Sequence, residues 1–184
     1  MSSNRENRIY QENVHLFLAL QRKGTAKDKR CIRSVIKHNE EEDLKILEAK
    51  LKAIGGEWRI HKTVNARNCE KARKILLKVL IDHPEKASVI DSEWRTALMQ
   101  KECRVTNHFM LDIDTKDEEI LKIIDKRIIE DGKGIIYEKH ETPKGWHYIT
   151  EPFDTRWVLL KDCVTLLRDG YYYIKTVGDK NEMV

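Results

Sequence analysis

Hydrophobic residues recur every three to four positions in three segments of the chain, which is the spacing of one face of an α-helix. These segments are residues 39–54, 69–82 and 116–130. The first opens with four consecutive acidic residues, which the positive N-terminal end of a helix favours. Gly55-Gly56 is expected to end the first helix, because glycine often adopts the non-helical conformation that follows a helix. His83-Pro84 is expected to end the second, because the residue before a proline disfavours helical backbone angles. A less regular pattern predicts a further helix within residues 86–102.

Short apolar runs between turn residues predict strands in the remaining segments. They lie at residues 31–36, 58–64, 108–114, 134–141, 145–150, 157–162 and 171–177. This order predicts an α+β fold in which helices pack on one face of a sheet and leave the other face free. The arrangement resembles the RNA-recognition-motif (RRM) fold. Residues 1–57 are expected to form an α-rich N-terminal extension with a basic loop, and residues 58–184 the main domain.

Composition narrows the class of protein. A length of 184 residues suits one domain with a small appendage, and 40% hydrophobic with 36% charged residues is typical of a globular chain. No apolar stretch approaches the ~18 residues that indicate a membrane span, and the polar N-terminus does not resemble a secretory signal. The four cysteines are far apart, which favours free thiols in a reducing cytoplasm over a zinc site. A net charge of +4 permits a nucleic-acid partner without requiring one.

The sharpest chemical feature is a predicted strand that reads Phe-Met-Leu-Asp-Ile-Asp-Thr from Phe109. Alternate side chains of a strand share a face, so Phe109, Leu111 and Ile113 are expected in the core. Asp112 and Asp114 then project together from the other face. Two carboxylates about 7 Å apart along a strand repel each other unless a cation lies between them. Such ligands suit Mg²⁺ or Mn²⁺, although solvent-facing acids at a strand end would show the same pattern.

Two further segments carry side chains suited to phosphate. Residues 142–147 read Thr-Pro-Lys-Gly-Trp-His, a tight turn that leads into a strand with a histidine. The glycine would let the backbone approach a ligand closely, and Lys144 and His147 are both able to bind phosphate oxygens. Residues 64–67 read Val-Asn-Ala-Arg, and the guanidinium of Arg67 suits bidentate phosphate contacts. Each segment alone also fits a purely structural role.

In this order, the three segments resemble the catalytic core of the archaeo-eukaryotic primase (primase-polymerase) superfamily. That family carries a Val-Asn-x-Arg-like strand end, a strand with Asp-x-Asp or Asp-x-Glu, and a turn and strand with Ser/Thr-x-Gly-x-His. The resemblance covers residues 58–165, and Pro143 and Lys144 lengthen the third segment relative to the family pattern. The chain is similar to small stand-alone, phage-type members. It lacks the cysteine-rich zinc module of many relatives, so an accessory replication protein is an expected partner.

The family also uses a further acid at the end of an apolar strand as a metal ligand. Asp162 is the favoured candidate, because Val158, Leu160 and Asp162 alternate onto one face of a predicted strand. Asp154 and Asp169 are the competing candidates. Asp154 falls in a predicted loop, and Asp169 precedes a glycine in a predicted hairpin turn.

The resemblance implies template-dependent nucleotidyl transfer by a two-metal mechanism with Mg²⁺ or Mn²⁺. The implied catalytic and metal-binding residues are Asp112, Asp114 and Asp162. The implied nucleotide-binding residues are Asn65, Arg67, Thr142, Lys144 and His147. Nucleoside triphosphates and a single-stranded nucleic-acid template would be the partners, with no membrane involved. The template could lie on a basic cluster, which otherwise is a solvated loop: Arg22, Lys23, Lys27, Lys29 and Arg30.

Two other functions stay open at the level of sequence. A non-catalytic nucleic-acid-binding module would read RNA with exposed aromatic residues, for which Tyr171, Tyr172 and Tyr173 are candidates. A metal-dependent nuclease or phosphodiesterase would use the same carboxylates to activate water. A divalent-metal requirement separates the enzymes from the binding module, and a triphosphate requirement separates the transferase from the nuclease.

Overall fold

The computed structural model describes residues 12–21, 30–36, 39–156 and 162–178. These residues form a mixed α+β fold, as the sequence predicts. The strands are β1 (Asn13–Val14), β2 (Leu16–Gln21), β3 (Cys31–Val35), β4 (Trp58–Thr63), β5 (Arg67–Asn68), β6 (Phe109–Ile113), β7 (Ile136–Glu141), β8 (Trp146–Thr150), β9 (Val164–Leu167) and β10 (Tyr171–Val177). The helices are α1 (Glu40–Ile54), α2 (Cys69–Asp82), α3 (Ile90–Leu98) and α4 (Glu118–Lys126). Shorter helical turns lie at Pro84–Val89, Lys101–Cys103 and Arg127–Asp131.

The first sheet has the antiparallel order β10-β4-β2-β3. Helix α1 covers one face of it, where Trp58 of β4 and Leu51 of α1 are fully buried in one apolar cluster. Asn39 caps α1 by accepting a hydrogen bond from a backbone N–H of the first turn, and Gly55 ends it in a left-handed conformation with φ of 77°. The helix predicted at residues 39–54 is therefore confirmed.

The N-terminal segment, expected to be rich in helix, contributes strands β1, β2 and β3 as well as α1. Phe17 and Ala19 of β2 are fully buried in the same cluster as α1. Strand β10 pairs with β4 on the side away from β2. The first sheet thus joins segments from near both ends of the described chain.

The second sheet has the order β7-β8-β6-β9, and each neighbouring pair is antiparallel. Leu111 and Ile113 of β6 are fully buried in one cluster with Ile124 of α4 and Ile128 of the turn that extends it. The expectation that these two β6 residues face the core is confirmed. Because α4 covers this face, the alternate residues of β6 project from the opposite face.

That opposite face meets the first sheet, which differs from the expectation of one sheet with a free face. Met110 of β6 and Ile149 of β8 pack with Val64 and Tyr172 in a cluster that joins the two sheets. Met110 is only 1% exposed, although it shares its face of β6 with aspartates. Strand β6 therefore carries apolar contacts on both faces, and its polar residues lie toward one end.

Helices α2 and α3 pack against each other beside the first sheet, where Leu16, Ala72 and Leu98 are fully buried together. The helix predicted at residues 69–82 is confirmed, and Asn68 caps it by accepting a hydrogen bond from Lys71 N at 2.8 Å. No helix within the described residues is long and apolar enough to span a membrane.

The strand predicted at residues 157–162 falls mostly outside the described residues. Asp162, which is described, lies in a turn, and the strand that follows it is β9. Of the predicted basic loop, only Arg30 lies inside the described residues.

Candidate active site

A cavity of about 260 Å³ lies between the two sheets. The second sheet lines it with residues of β6, β8 and β9, and the turn between β7 and β8 closes one side. These residues are Met110, Asp112, Asp114, Thr142, Pro143, Lys144, His147 and Leu167. The first sheet lines the facing wall with Arg59, His61, Tyr171 and Tyr173. The cavity therefore brings together two of the three segments that carry the family resemblance.

Asp112 and Asp114 both line this cavity, as the alternation along the strand predicts. In the sheet, Asp112 is paired with His147 of β8 on one side and Thr165 of β9 on the other. The Asp112 side chain is 39% exposed, so it remains open to a ligand. The backbone of Asp114 is held by its N–H, which donates to Cys163 O at 2.8 Å.

His147 connects the aspartate strand to the first sheet. Its Nδ1 accepts a hydrogen bond of 2.9 Å from the backbone N–H of Tyr173, beside a β-bulge in β10. In the neutral ring, Nε2 then carries the proton, and it lies 3.3 Å from Asp112 Oδ1. The His147 ring is thus held at Nδ1, and its Nε2 lies beside the carboxylate of Asp112 in the lining of the cavity.

The turn between β7 and β8 is built around Thr142 and Gly145. The Thr142 hydroxyl accepts a hydrogen bond of 3.0 Å from Gly145 N, and Thr142 N donates to Gly145 O at 2.8 Å. A Cβ on Gly145 would lie 1.9 Å from Ile113 O, so only glycine permits this approach to the end of β6. The turn therefore places the exposed Lys144 in the lining of the aspartate cavity.

Asn65 and Arg67 do not line the cavity but form a separate polar network. Asn65 accepts hydrogen bonds from His108 N at 2.7 Å and from the Thr106 hydroxyl at 2.9 Å, directly before β6. Arg67 is fully buried, and its Nη2 donates to Asp169 Oδ1 at 2.7 Å. Asn65 thus fixes the start of β6, and Arg67 holds the turn between β9 and β10 through Nη2. The Nε and Nη1 atoms of Arg67 are buried without a hydrogen-bond partner among the described residues.

The three candidates for a further acid lie elsewhere in the structure. Asp162 is exposed in the turn before β9, and Asp169 is paired with Arg67. Asp154 forms an ion pair with Arg156, whose hydrogen bonds lower the pKa of Asp154 to about 2. Of the residues that the structure describes, Asp112 and Asp114 are the ones that bring carboxylates into the cavity.

No group of three or more His, Cys, Asp or Glu side chains in the described ranges is arranged as a metal site. Two carboxylates still fit a divalent cation, because Mg²⁺ is usually held by one or two carboxylates together with substrate phosphates and water. The donor set of Asp112 and Asp114 is therefore compatible with Mg²⁺ or Mn²⁺ bound with a phosphate ligand.

The wall contributed by the first sheet was not predicted as part of the site. Arg59 and His61 alternate on β4 with the buried Trp58 and Ile60, a pattern that could have marked them as sharing a face. Burial lowers the pKa of His61, and the positive charge that the nearby His147 can carry lowers it further. His61 is therefore neutral at neutral pH.

Comparison of the chain with protein-family models, with curated proteins and with solved structures gives no significant match. The resemblance to the primase-polymerase superfamily therefore rests on the residues named above and on their placement.

Proposed function

We propose that this protein is a template-dependent nucleotidyltransferase of the primase-polymerase type that uses nucleoside triphosphates and a divalent metal. One observation carries the proposal: Asp112 and Asp114 share a cavity with Thr142, Lys144 and His147, although the two segments are far apart in sequence. The resemblance requires that these residues meet, and nothing in either segment alone demands it.

The second sheet supports an RRM-like core for this site. Its strand order, β7-β8-β6-β9 with α4 between β6 and β7, is the order expected of such a sheet. Asp112 lies on its central strand β6 and Asp114 directly follows that strand, both on the face away from α4. A central strand gives a site the rigid support that positioned catalytic groups need.

Asp112 and Asp114 are the proposed metal ligands, and His147 is proposed to orient Asp112. Lys144 and the Thr142 turn would bind the phosphates of the incoming nucleotide. A divalent cation bound here would lower the pKa of an attacking hydroxyl and neutralise charge on the leaving phosphates. Asn65 and Arg67 are proposed to support the strand rather than to contact the nucleotide, because neither lines the cavity and each is hydrogen-bonded outside it.

The test is synthesis on a single-stranded DNA template with Mg²⁺ or Mn²⁺ and a mixture of nucleoside triphosphates, with products resolved by length. Wild type is expected to make products that grow with time. Asp112→Asn and Asp114→Asn are each expected to lower the rate by at least about a hundredfold, the scale of a lost electrostatic contact in an active site.

Asp162→Asn is the matched control, because it makes the same chemical change outside the cavity, and it should retain wild-type activity. Loss of activity in Asp162→Asn would mean that the pair of aspartates is not the complete metal-binding set. Shortening of the template in place of synthesis would identify a nuclease and overturn the proposal.

A further inference from the structure

The face of the first sheet that lines the cavity is covered in part by α2 and α3, and the rest of it, the open face, continues beyond the cavity. Trp58 of β4 lies under α1, so its neighbours Arg59 and His61 project from the opposite face. Across the strands, His61 is paired with Tyr173 of β10 and Leu18 of β2, and Leu18 is paired with Arg33 of β3. These four positions form one row that begins in the cavity and ends at the exposed Arg33.

A second row runs beside the first. Arg59 is paired with Leu20 of β2, and Leu20 with Cys31 of β3. Leu20 is 37% exposed and Cys31 is exposed, so this part of the sheet is open to solvent. Neither row carries a carboxylate within the described strands, whereas each carries an arginine. The open face is therefore cationic and partly apolar.

The guanidinium of Arg59 keeps hydrogen-bonding capacity on this face. Its Nε has no hydrogen-bond partner among the described residues, and Arg59 lines the cavity. The planar guanidinium suits the oxygens of a phosphate group. The Tyr173 ring packs edge-on against His61 with ring centroids 5.9 Å apart and lies in the wall of the cavity, where a base could stack on it.

We propose that a single-stranded nucleic acid lies across this open face, with its phosphates on Arg33 and Arg59 and a base on Tyr173, and reaches the aspartates of the cavity. Arginines suit phosphate, and an aromatic ring suits an unpaired base but not a base inside a duplex. The inference rests on the proposed function in naming this strand as the template. Binding of the strand itself requires neither metal nor nucleotide.

The experiment measures fluorescence anisotropy of a labelled single-stranded oligonucleotide of about 16 nucleotides, without metal or triphosphate, over a range of salt concentrations. Arg33→Gln and Arg59→Gln are each expected to weaken binding severalfold and to reduce the slope of log K against log salt by about 0.7. Tyr173→Leu is expected to weaken binding about tenfold, because it removes one stacking contact. A duplex of the same length should bind more weakly to wild type.

Arg73→Gln is the matched control, since Arg73 lies on the exposed surface of α2 in an ion pair with Glu70. It should leave affinity and salt slope unchanged. Equal losses in Arg73→Gln and the two open-face variants, or no loss in any of them, would overturn the proposal. Wild type that does not bind the oligonucleotide would overturn it too.

A second measurement avoids substitution altogether. The oligonucleotide is expected to slow alkylation of the exposed Cys31, which lies on the open face, while alkylation of Cys163 keeps its rate. An unprotected Cys31 would place the strand elsewhere. If the oligonucleotide binds and protects Cys31 but no synthesis occurs, the proposed function is refuted and this inference stands. If synthesis occurs while Cys31 stays unprotected, this inference is refuted and the proposed function stands.

Discussion

Asp112 and Asp114 reach the same cavity because the two-residue repeat of a strand places them on one face of β6, while Leu111 and Ile113 anchor the other. Alternation is a local property, so this part of the site could be predicted from sequence. The partner of Arg67 could not be predicted in this way, because Asp169 lies 102 residues away. A motif specifies residue types but not the contacts that they make.

Replacing Asp169 with asparagine is expected to destabilise the fold by about 3 kcal/mol, the low end of the range for a broken buried ion pair. The change would leave the guanidinium of Arg67 without a counter-charge. The Arg67 side chain is fully buried and that of Asp169 is 29% exposed, so solvent weakens the pair only in part. Urea unfolding of wild type and Asp169→Asn measures the loss.

Asp154→Asn serves as the comparison, because the carboxylates of Asp154 and Asp169 are 34% and 29% exposed, whereas the arginine partner of Asp154 lies at the surface. Its urea midpoint should match that of wild type. Equal shifts of the urea midpoint in the two variants would show that burial of Arg67 does not strengthen its contribution to stability.

At the scale of elements, helices were easier to predict than strands near the site. The segments that form α1 and α2 carry a helical repeat and a capping asparagine, and both signals are local. Strand β9 has only four residues and is defined by its pairing with β6, which the sequence does not display. The strand predicted at residues 157–162 lies outside the described residues except for Asp162, which is in the turn before β9.

The turn between β7 and β8 gives a prediction for a single element. Gly145→Ala is expected to lower the free energy of unfolding by about 1–3 kcal/mol, since the added methyl group would overlap Ile113 O and Thr115 N. The turn must also move away from β6, so triphosphate affinity should fall. Unfolding midpoints and nucleotide titrations measure the two effects.

Gly170→Ala is the matched substitution, because its Cβ would meet no atom closer than 3.8 Å. It should change neither quantity appreciably. If Gly145→Ala behaved like Gly170→Ala, the close approach of the turn to β6 would be refuted.

For the whole molecule, the arrangement of two facing sheets was beyond sequence reasoning. A strand pattern predicts that one face is buried, but not whether a helix or another sheet covers it. Met110 shows the difficulty, because it lies on the same face of β6 as the aspartates and yet is buried against the first sheet. The wall formed by Arg59 and His61 was missed for the same reason.

Two half-buried histidines make the stability of the whole molecule depend on pH. Burial lowers the pKa of His15 and of His61 below the ordinary value of 6.5, so the unfolded chain binds more protons than the folded one below that pH. Stability should therefore be complete above about pH 6.5 and decline as the pH falls, by up to about 1.4 kcal/mol per pH unit for each histidine. Urea unfolding between pH 5 and 8 measures this dependence.

His61→Gln is expected to flatten this pH dependence, whereas His83→Gln, at an exposed helix end, should leave it unchanged. A pH profile of His61→Gln that is as steep as that of wild type would contradict the assignment of His61 as a neutral, half-buried group.

The most direct test of the candidate active site is calorimetric titration of a nucleoside triphosphate into the protein with and without Mn²⁺ or Mg²⁺. Wild type is expected to bind only when the metal is present. The double variant Asp112→Asn/Asp114→Asn, shown to be folded by circular dichroism, is expected to lose at least about tenfold in affinity, because an absent carboxylate pair cannot hold the cation that bridges to phosphate. Binding that needs no metal, or that survives in the double variant, would contradict a metal-dependent nucleotide site at Asp112 and Asp114.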